Sequence, residues 1–244
     1  EAGSQRLRNV INKGVDEEDL VKAVSYAFDE GWSKIKLYFM IGLPTETDED
    51  VLGIRDLSYL VKDIFFNAPK EKRRGNFSVT ASGSCFVPKA FTPFQWVSQD
   101  SIEEFRRKAY LVKDSIKDKK ITFNYHDPEV SYVEAVIARG DRRLSRVIKR
   151  AWEKGCKYDG WREHFNFQLW QEAFDEEDID GGFYAQRERN EDELFPWDFI
   201  DIGVSKKYLY REYQKSLAGQ LTHDCRLACT GCGIRDCSMR GVFN

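Results

Sequence analysis

Along the first half of the chain the spacing of apolar residues switches between two periods. Leu20, Ala23, Val24, Ala27 and Phe28 fall at helical steps behind Asp16, a residue suited to capping a helix N-terminus, and Gly31 supplies a stop. The run IKLYFMI (35–41) is short, β-branched and aromatic, which predicts a buried strand. It leads into the turn Gly42-Leu43-Pro44 and the capping box Thr47-x-x-Asp50. Val51, Ile54, Leu57, Leu60, Val61 and Ile64 then mark one face of a helix, and the charged APKEKRRG (68–75) reads as a solvated loop. A second strand is predicted over 77–87, with Ser78, Thr80, Ser82 and Ser84 on one side and Val79, Ala81 and Cys85 on the other. Ser101-x-x-Glu104 opens a helix through Ile102, Phe105, Ala109, Val112 and Ile116, and KITFNYH (120–126) predicts a third strand.

Strands alternating with helices of this length imply βα units and a parallel sheet. Three strands, or four if residue 1 ends one, are too few to close an eight-stranded barrel. Beyond Pro128 the pattern is helical alone. VSYVEAVIARG comes first, then LSRVIKRAWEKG with Leu144, Val147, Ile148, Ala151 and Trp152, then WREHFNFQLWQEAF with Trp161, Phe165, Leu169 and Phe174. Aromatics at that spacing read as core. A loop at 196–200 precedes a last helix over 205–217, ended by Gly219. The expected division is a sheet-bearing part over 1–127, a helical extension over 128–219 and a tail over 220–244.

Composition alters this picture only at its margins. With 41% hydrophobic and 14% aromatic residues the chain can bury a sizeable core, and a formal charge of −3 gives no general attraction to nucleic acid or anionic lipid. KEKRRG (70–75) and RGDRR (139–143) are local basic exceptions. No apolar run approaches the roughly 20 residues of a membrane helix, and the start lacks a signal pattern. A cytoplasmic protein without a membrane partner is expected. Glu1 sits in what reads as a strand-to-helix junction, so a longer polypeptide is expected too. Its missing portion, the N-terminal half of a barrel, or another chain would cover the sheet edge at Glu1.

Four of the six cysteines, Cys225, Cys229, Cys232 and Cys237, form a C-x3-C-x2-C-x4-C run with His223 two residues upstream. Thiolates this dense, among small residues such as Thr230, Gly231 and Gly233, read as metal ligands. Both zinc and a 4Fe–4S cluster take four cysteines, so zinc and a second iron–sulfur cluster stay open. The embedded C-x3-C-x2-C is also the spacing that holds the catalytic cluster of radical S-adenosylmethionine enzymes. That role needs an iron with an open position, whereas Cys237 is available to close the site and Gly231 stands where a large apolar residue is usual. The tail therefore reads as a closed, accessory site.

The front of the chain resembles the second half of a radical S-adenosylmethionine barrel. EAGSQRLRNVINKG is similar to the segment after the fourth strand, with the turn at Gly3-Ser4 and a basic position at Lys13. KIKLYFMIGLPTETDED resembles the fifth strand with a Gly-x-Pro-x-Glu exit (Gly42, Pro44, Glu46), and FSVTASGSCFVPKAFTPFQW the sixth, with Pro88, Thr92 and Pro93. The remainder resembles an uncharacterised family in which a cobalamin-binding-like domain precedes the radical domain. The resemblance implies an α/β fold, the second half of a partial (β/α) barrel followed by an all-helical extension and a Cys-rich tail. It implies S-adenosylmethionine and a 4Fe–4S cluster ligated by upstream sequence, with cobalamin possible in the full-length protein and a small-molecule or RNA substrate. It further implies that Lys36 and Tyr38 line the barrel lumen as catalytic residues. Glu1, Ser4, Lys13, Ile41, Gly42, Leu43, Phe86, Val87 and Pro88 would contact the cofactor, Lys13 through its carboxylate and the last six beside its adenine. A loop His126 and a capping Asp127 follow the third strand. The competing expectation is a zinc-stapled module that binds RNA or protein.

Overall fold

The computed structural model describes residues 1–239 and 242. The chain packs as two units. The first comprises Glu1–Phe86, Glu103–His126 and Gln214–Thr222; the second comprises Val87–Ile102, Asp127–Tyr213 and the described residues from His223 on.

The first unit runs α1 (Gln5–Val10), α2 (Glu17–Asp29), β1 (Lys34–Ile41), α3 (Asp48–Asn67), β2 (Ser78–Cys85), α4 (Ile102–Ser115) and β3 (Ile121–Tyr125). Its strands form one parallel sheet in the order β1-β2-β3. Local chemistry sets the helix starts: Asp16 with Asp19, and Thr47 with Asp50, make reciprocal capping boxes. Gly31, at φ +90°, turns the chain out of α2.

Period two then sorts the strand residues. Leu37, Phe39, Ile41, Ala81 and Phe123 face one way and pack against Val51, Ile54, Phe105, Ala109 and Val112 of the covering helices. Val79 and Ile121 join Val24, Phe28, Val61 and Phe65 further along the same layer. Each fully buried Val, Ile or Phe among them contributes about 1.5–3 kcal/mol. The opposite sheet face is polar. Its rows, read off the register, are Lys36–Thr80–Thr122 and Tyr38–Ser82–Asn124. Lys36, Tyr38, Thr122 and Asn124 are exposed, Tyr38 by 65%. Parallel sheets are ordinarily covered on both faces, so this open polar face sets the unit apart.

Glu1 lies against the outer edge of β1. Its amino nitrogen donates to Tyr38 O (2.9 Å) and its carbonyl accepts from Met40 N (2.9 Å), the two bonds of a parallel bridge opposite Phe39. Residue 1 thus stands where a further parallel strand would end.

The second unit holds α5 (Pro128–Arg139), α6 (Leu144–Glu153), α7 (Phe167–Glu176), α8 (Gly181–Ala185) and most of α9 (Lys206–Leu217). One core gathers Val136, Leu144, Val147, Ala151, Trp170 and Phe174. Elsewhere in this unit Trp96, fully buried, stacks on Tyr213 and meets Phe195 and Tyr210 edge-on. The Arg139 guanidinium, also fully buried, donates to Val97 O and Arg187 O, while Arg189 Nη2 donates to Arg139 O (2.8 Å). Burial, with Arg189 and Arg187 close by, pushes Arg139 down to about 9.

Several expectations are corrected. The helix expected across 161–174 begins only at Phe167, because Asn166 caps it by accepting from Leu169 N (3.3 Å). Trp152 and Trp161, expected in the core, are 58% and 64% exposed. α8 and a short 3₁₀ turn at Pro93–Trp96 had no periodic signal. The two units are not continuous in sequence: residues 87–102 belong to the unit that holds α5 to α8, and residues 214–222 to the unit that holds the sheet. Of the tail over 220–244, residues 240, 241, 243 and 244 lie outside the described residues.

Candidate functional site

The exit of β1 is built from two left-handed residues, Gly42 (φ +86°) and Thr45 (φ +66°). Gly42 takes that conformation without strain; Thr45 does not, and needs external support. Arg6 supplies it, donating to Thr45 Oγ1 (2.9 Å) and Thr45 O (2.6 Å) and pairing with Asp50. Glu46 closes the turn. Its Oε2 accepts from Gly42 N (2.7 Å) and lies 3.0 Å from the Lys108 ammonium of α4, with both side chains more than nine-tenths buried.

Asp50 is the hub behind this turn. Burial raises its pKa, but hydrogen bonds from Arg6, Ser4 and Thr47 together outweigh burial and hold it at about 2. Ser4, expected at the cofactor, is engaged locally: it caps α1 through Leu7 N (3.2 Å) and donates to Asp50. Lys13 pairs with Glu1 (2.9 Å), which draws the Glu1 carboxyl below the usual carboxylate range, so two expected cofactor contacts are brought together. Both side chains remain more than two-fifths exposed. Beside the β1 edge, Glu1, Arg8, Asp16, Leu20, Leu37 and Phe39 are among the residues lining a cavity of about 230 Å³.

Lys36 and Tyr38, the expected catalytic pair, share the open face, with the Lys36 ammonium 4.8 Å from the Tyr38 ring centroid. Hydroxyl groups of Thr80 and Ser82 stand opposite them in register. Among the described residues Lys36 has no carboxylate partner. Ile41 and Leu43 are buried, and Phe86 donates its N–H to Ile41 O (2.8 Å), so the ends of β1 and β2 are joined. Val87 and Pro88 are buried in the helical unit. The Gly42 N–H is held by Glu46. His126 N donates to Gly83 O (2.9 Å), and Asp127 caps α5.

The four tail cysteines carry free thiols. Cys225 and Cys229 are exposed; Cys232 and Cys237 are half-buried. Among the described residues no three metal-capable side chains converge. The middle of the tail is anchored: Ser205 N donates to Cys232 O (2.8 Å), Tyr208 Oη to Thr230 Oγ1 (3.2 Å) and Arg211 to Thr230 O.

Arg6 and Lys108 are structural residues that sequence reasoning passed over, and Asp50 was read only as part of the capping box at Thr47. A lysine on the apolar face of α4, between Phe105 and Val112, was the available signal for Lys108. No helix among the described residues is long and apolar enough to cross a membrane.

No protein-family model matches this chain, and no solved structure does. The chain is similar to the uncharacterised protein MJ0966 of Methanocaldococcus jannaschii, with 35% identity over 152 residues, or 61% of this chain. It spans about 30% of the length of that relative.

Proposed function

We propose that this chain is the C-terminal portion of a radical S-adenosylmethionine enzyme and that the open sheet face is part of the wall of its reaction chamber. The observation that carries the reading is the polar, uncovered face of a parallel sheet, on which Lys36 and Tyr38 stand along β1 beside Thr80 and Ser82 of the central strand. A cation with no carboxylate partner among the described residues, flanked by hydroxyls, fits a chamber for polar reactants better than a surface meant only for water. S-adenosylmethionine, bound to a reduced iron–sulfur cluster, would supply a 5′-deoxyadenosyl radical that takes hydrogen from a substrate.

Within that reading the chain's own residues bind and orient. Lys13 offers a cation to the methionyl carboxylate in exchange for Glu1, a charge-assisted contact. The turn at Gly42, stiffened by Glu46 and Lys108, presents a surface without a side chain to the adenine, next to Phe86. Lys36 and Tyr38 position the substrate, and the apolar layer beneath keeps their strand rigid. Residues 1–127 hold one cysteine, Cys85, so ligands for a catalytic cluster come from outside them.

The test is anaerobic reconstitution of the full-length encoded protein with iron and sulfide. Formation of 5′-deoxyadenosine, lost in Lys36→Gln with the fold intact, supports the proposal; a protein that neither binds nor cleaves S-adenosylmethionine overturns it. The second reading, a zinc-stapled module for RNA or protein, draws on the anchoring of the tail to α9. Colourless, zinc-containing protein with RNA affinity and no cleavage would favour it.

A further inference from the structure

We infer that Cys225, Cys229, Cys232 and Cys237 close around one zinc ion, and that the turn Cys229-Thr230-Gly231-Cys232-Gly233, held against α9, is the half-site on which the centre assembles. Two glycines flank Cys232, and both are left-handed, at φ +72° for Gly231 and +106° for Gly233. Residues with side chains reach these angles only with strain, so the turn is shaped to bend tightly around the Cys232 sulfur. Space favours Gly233 as well: a Cβ there would crowd Ser205 Cβ and N at 3.2 Å.

This turn does not depend on an ion for its position. The bonds from Ser205, Tyr208 and Arg211 already fix Thr230 and Cys232 to the start of α9. Cys225 then lies four residues before Cys229 and Cys237 five residues after Cys232, close enough along the chain to complete a tetrahedron. A zinc tetrathiolate carries two negative charges. The Arg211 guanidinium stands beside Gly231, 3.9 Å from where its Cβ would be, and offsets part of that charge.

Exposure favours zinc over an iron–sulfur cluster. Cys225 and Cys229 face solvent, and the neighbouring Asp224, Arg235 and Asp236 are exposed and charged. A redox-inert ion tolerates that setting, whereas the potential and survival of a cluster depend on its shielding. The centre would cinch residues 225–237 onto α9 as a closed structural site, since ion binding there is also folding free energy.

The test uses the full 244-residue chain, reduced and metal-free, with Co²⁺ and then Zn²⁺ as probes. The expected result is one equivalent of cobalt with the intense visible bands of a tetrahedral site and thiolate charge transfer, displaced by zinc. Zinc should protect all four tail cysteines from alkylation, mapped by mass spectrometry. Cys237→Ser should weaken zinc binding by roughly tenfold or more, while Cys85→Ser leaves it unchanged. A weak octahedral cobalt spectrum, tail thiols that alkylate equally with and without zinc, or a chain that fills only with iron and sulfide would each overturn the inference. Alkylation of the parent chain decides the matter even if a variant misfolds. None of these readouts involves residues 1–127, so this inference and the chamber proposal fail separately.

Discussion

The Lys108 ammonium and the Glu46 carboxylate meet at 3.0 Å with side-chain exposures of 7% and 2%, joining α4 to the turn that ends β1. The pair sits behind a backbone N–H, that of Gly42, which also points at Glu46. Two ions removed from water are stabilising only when each finds such partners, and removing one leaves the other stranded. Glu46→Ala should therefore cost about 3 kcal/mol or more, because it takes from the buried Lys108 ammonium its 3.0 Å carboxylate and from the Gly42 N–H its acceptor. The double change Glu46→Gln with Lys108→Met should recover most of that loss. Urea unfolding of the set checks this, and a single variant within experimental error of the parent would refute the pair's importance.

Asp50 predicts an acid-sensitive component of stability. Its folded pKa, about 2, lies below the ordinary 3.8, so its stabilisation is present above 3.8 and lost as pH falls toward 2. For a carboxylate this buried the component is about 2 kcal/mol. Asp50→Asn should lower stability near neutrality by a comparable amount, and the gap between variant and parent should close as the pH drops through that window. A gap that stays constant between pH 5 and 2 would show that hydrogen bonding, not charge, carries the effect.

The tryptophans separate what patterning reveals from what it hides. Trp161 lies at helical spacing from Phe165, but Tyr158, at φ +60°, and the Asn166 cap keep 161–166 out of any helix, so its spacing has no face to fill. Trp96 carries no periodic signal and is the largest fully buried side chain. Trp161→Ser should change stability by less than about 0.5 kcal/mol and Trp96→Ala should cost about 3–5 kcal/mol. Tryptophan fluorescence and chemical denaturation of both variants test the contrast; equal losses would mean the aromatic positions are wrongly placed.

The same distinction runs through the whole chain. Helix starts at Asp16 and Thr47 were legible because a capping box is written in four residues, and the strands because alternation over 35–41 and 77–87 is local. α8 was not, since Gly181-Gly182 is a poor helix former, and tertiary packing decides it: a Cβ on Gly181 would stand 2.4 Å from the Tyr132 hydroxyl. At the candidate site the strand-borne Lys36 and Tyr38 could be assigned a common face from period two. The partnerships of Arg6 with Asp50 and of Lys108 with Glu46 span 44 and 62 positions, beyond any periodicity.

Gly53 gives the case in which local propensity and tertiary packing make opposite predictions. It lies inside α3, where replacing an exposed glycine by alanine would add about 1 kcal/mol of stability. Here, however, α3 is crossed by the turn that leads into α1. A Cβ on Gly53 would come within 2.6 Å of Gly3 O, and one on Gly3 would come within 2.3 Å of Asp50 O and 2.6 Å of Ile54 N. These obstacles are backbone atoms, which cannot rotate away. Relief requires moving the turn that carries Ser4 and Arg6, and with it the bonds that hold Asp50 and Thr45. Gly53→Ala should therefore destabilise the chain by about 1–3 kcal/mol, the usual cost of overpacking, with Gly3→Ala at least as severe. It should also raise the Asp50 pKa, readable by carboxyl NMR titration. Stabilisation by Gly53→Ala would mean that the turn at Gly3 does not pack on α3.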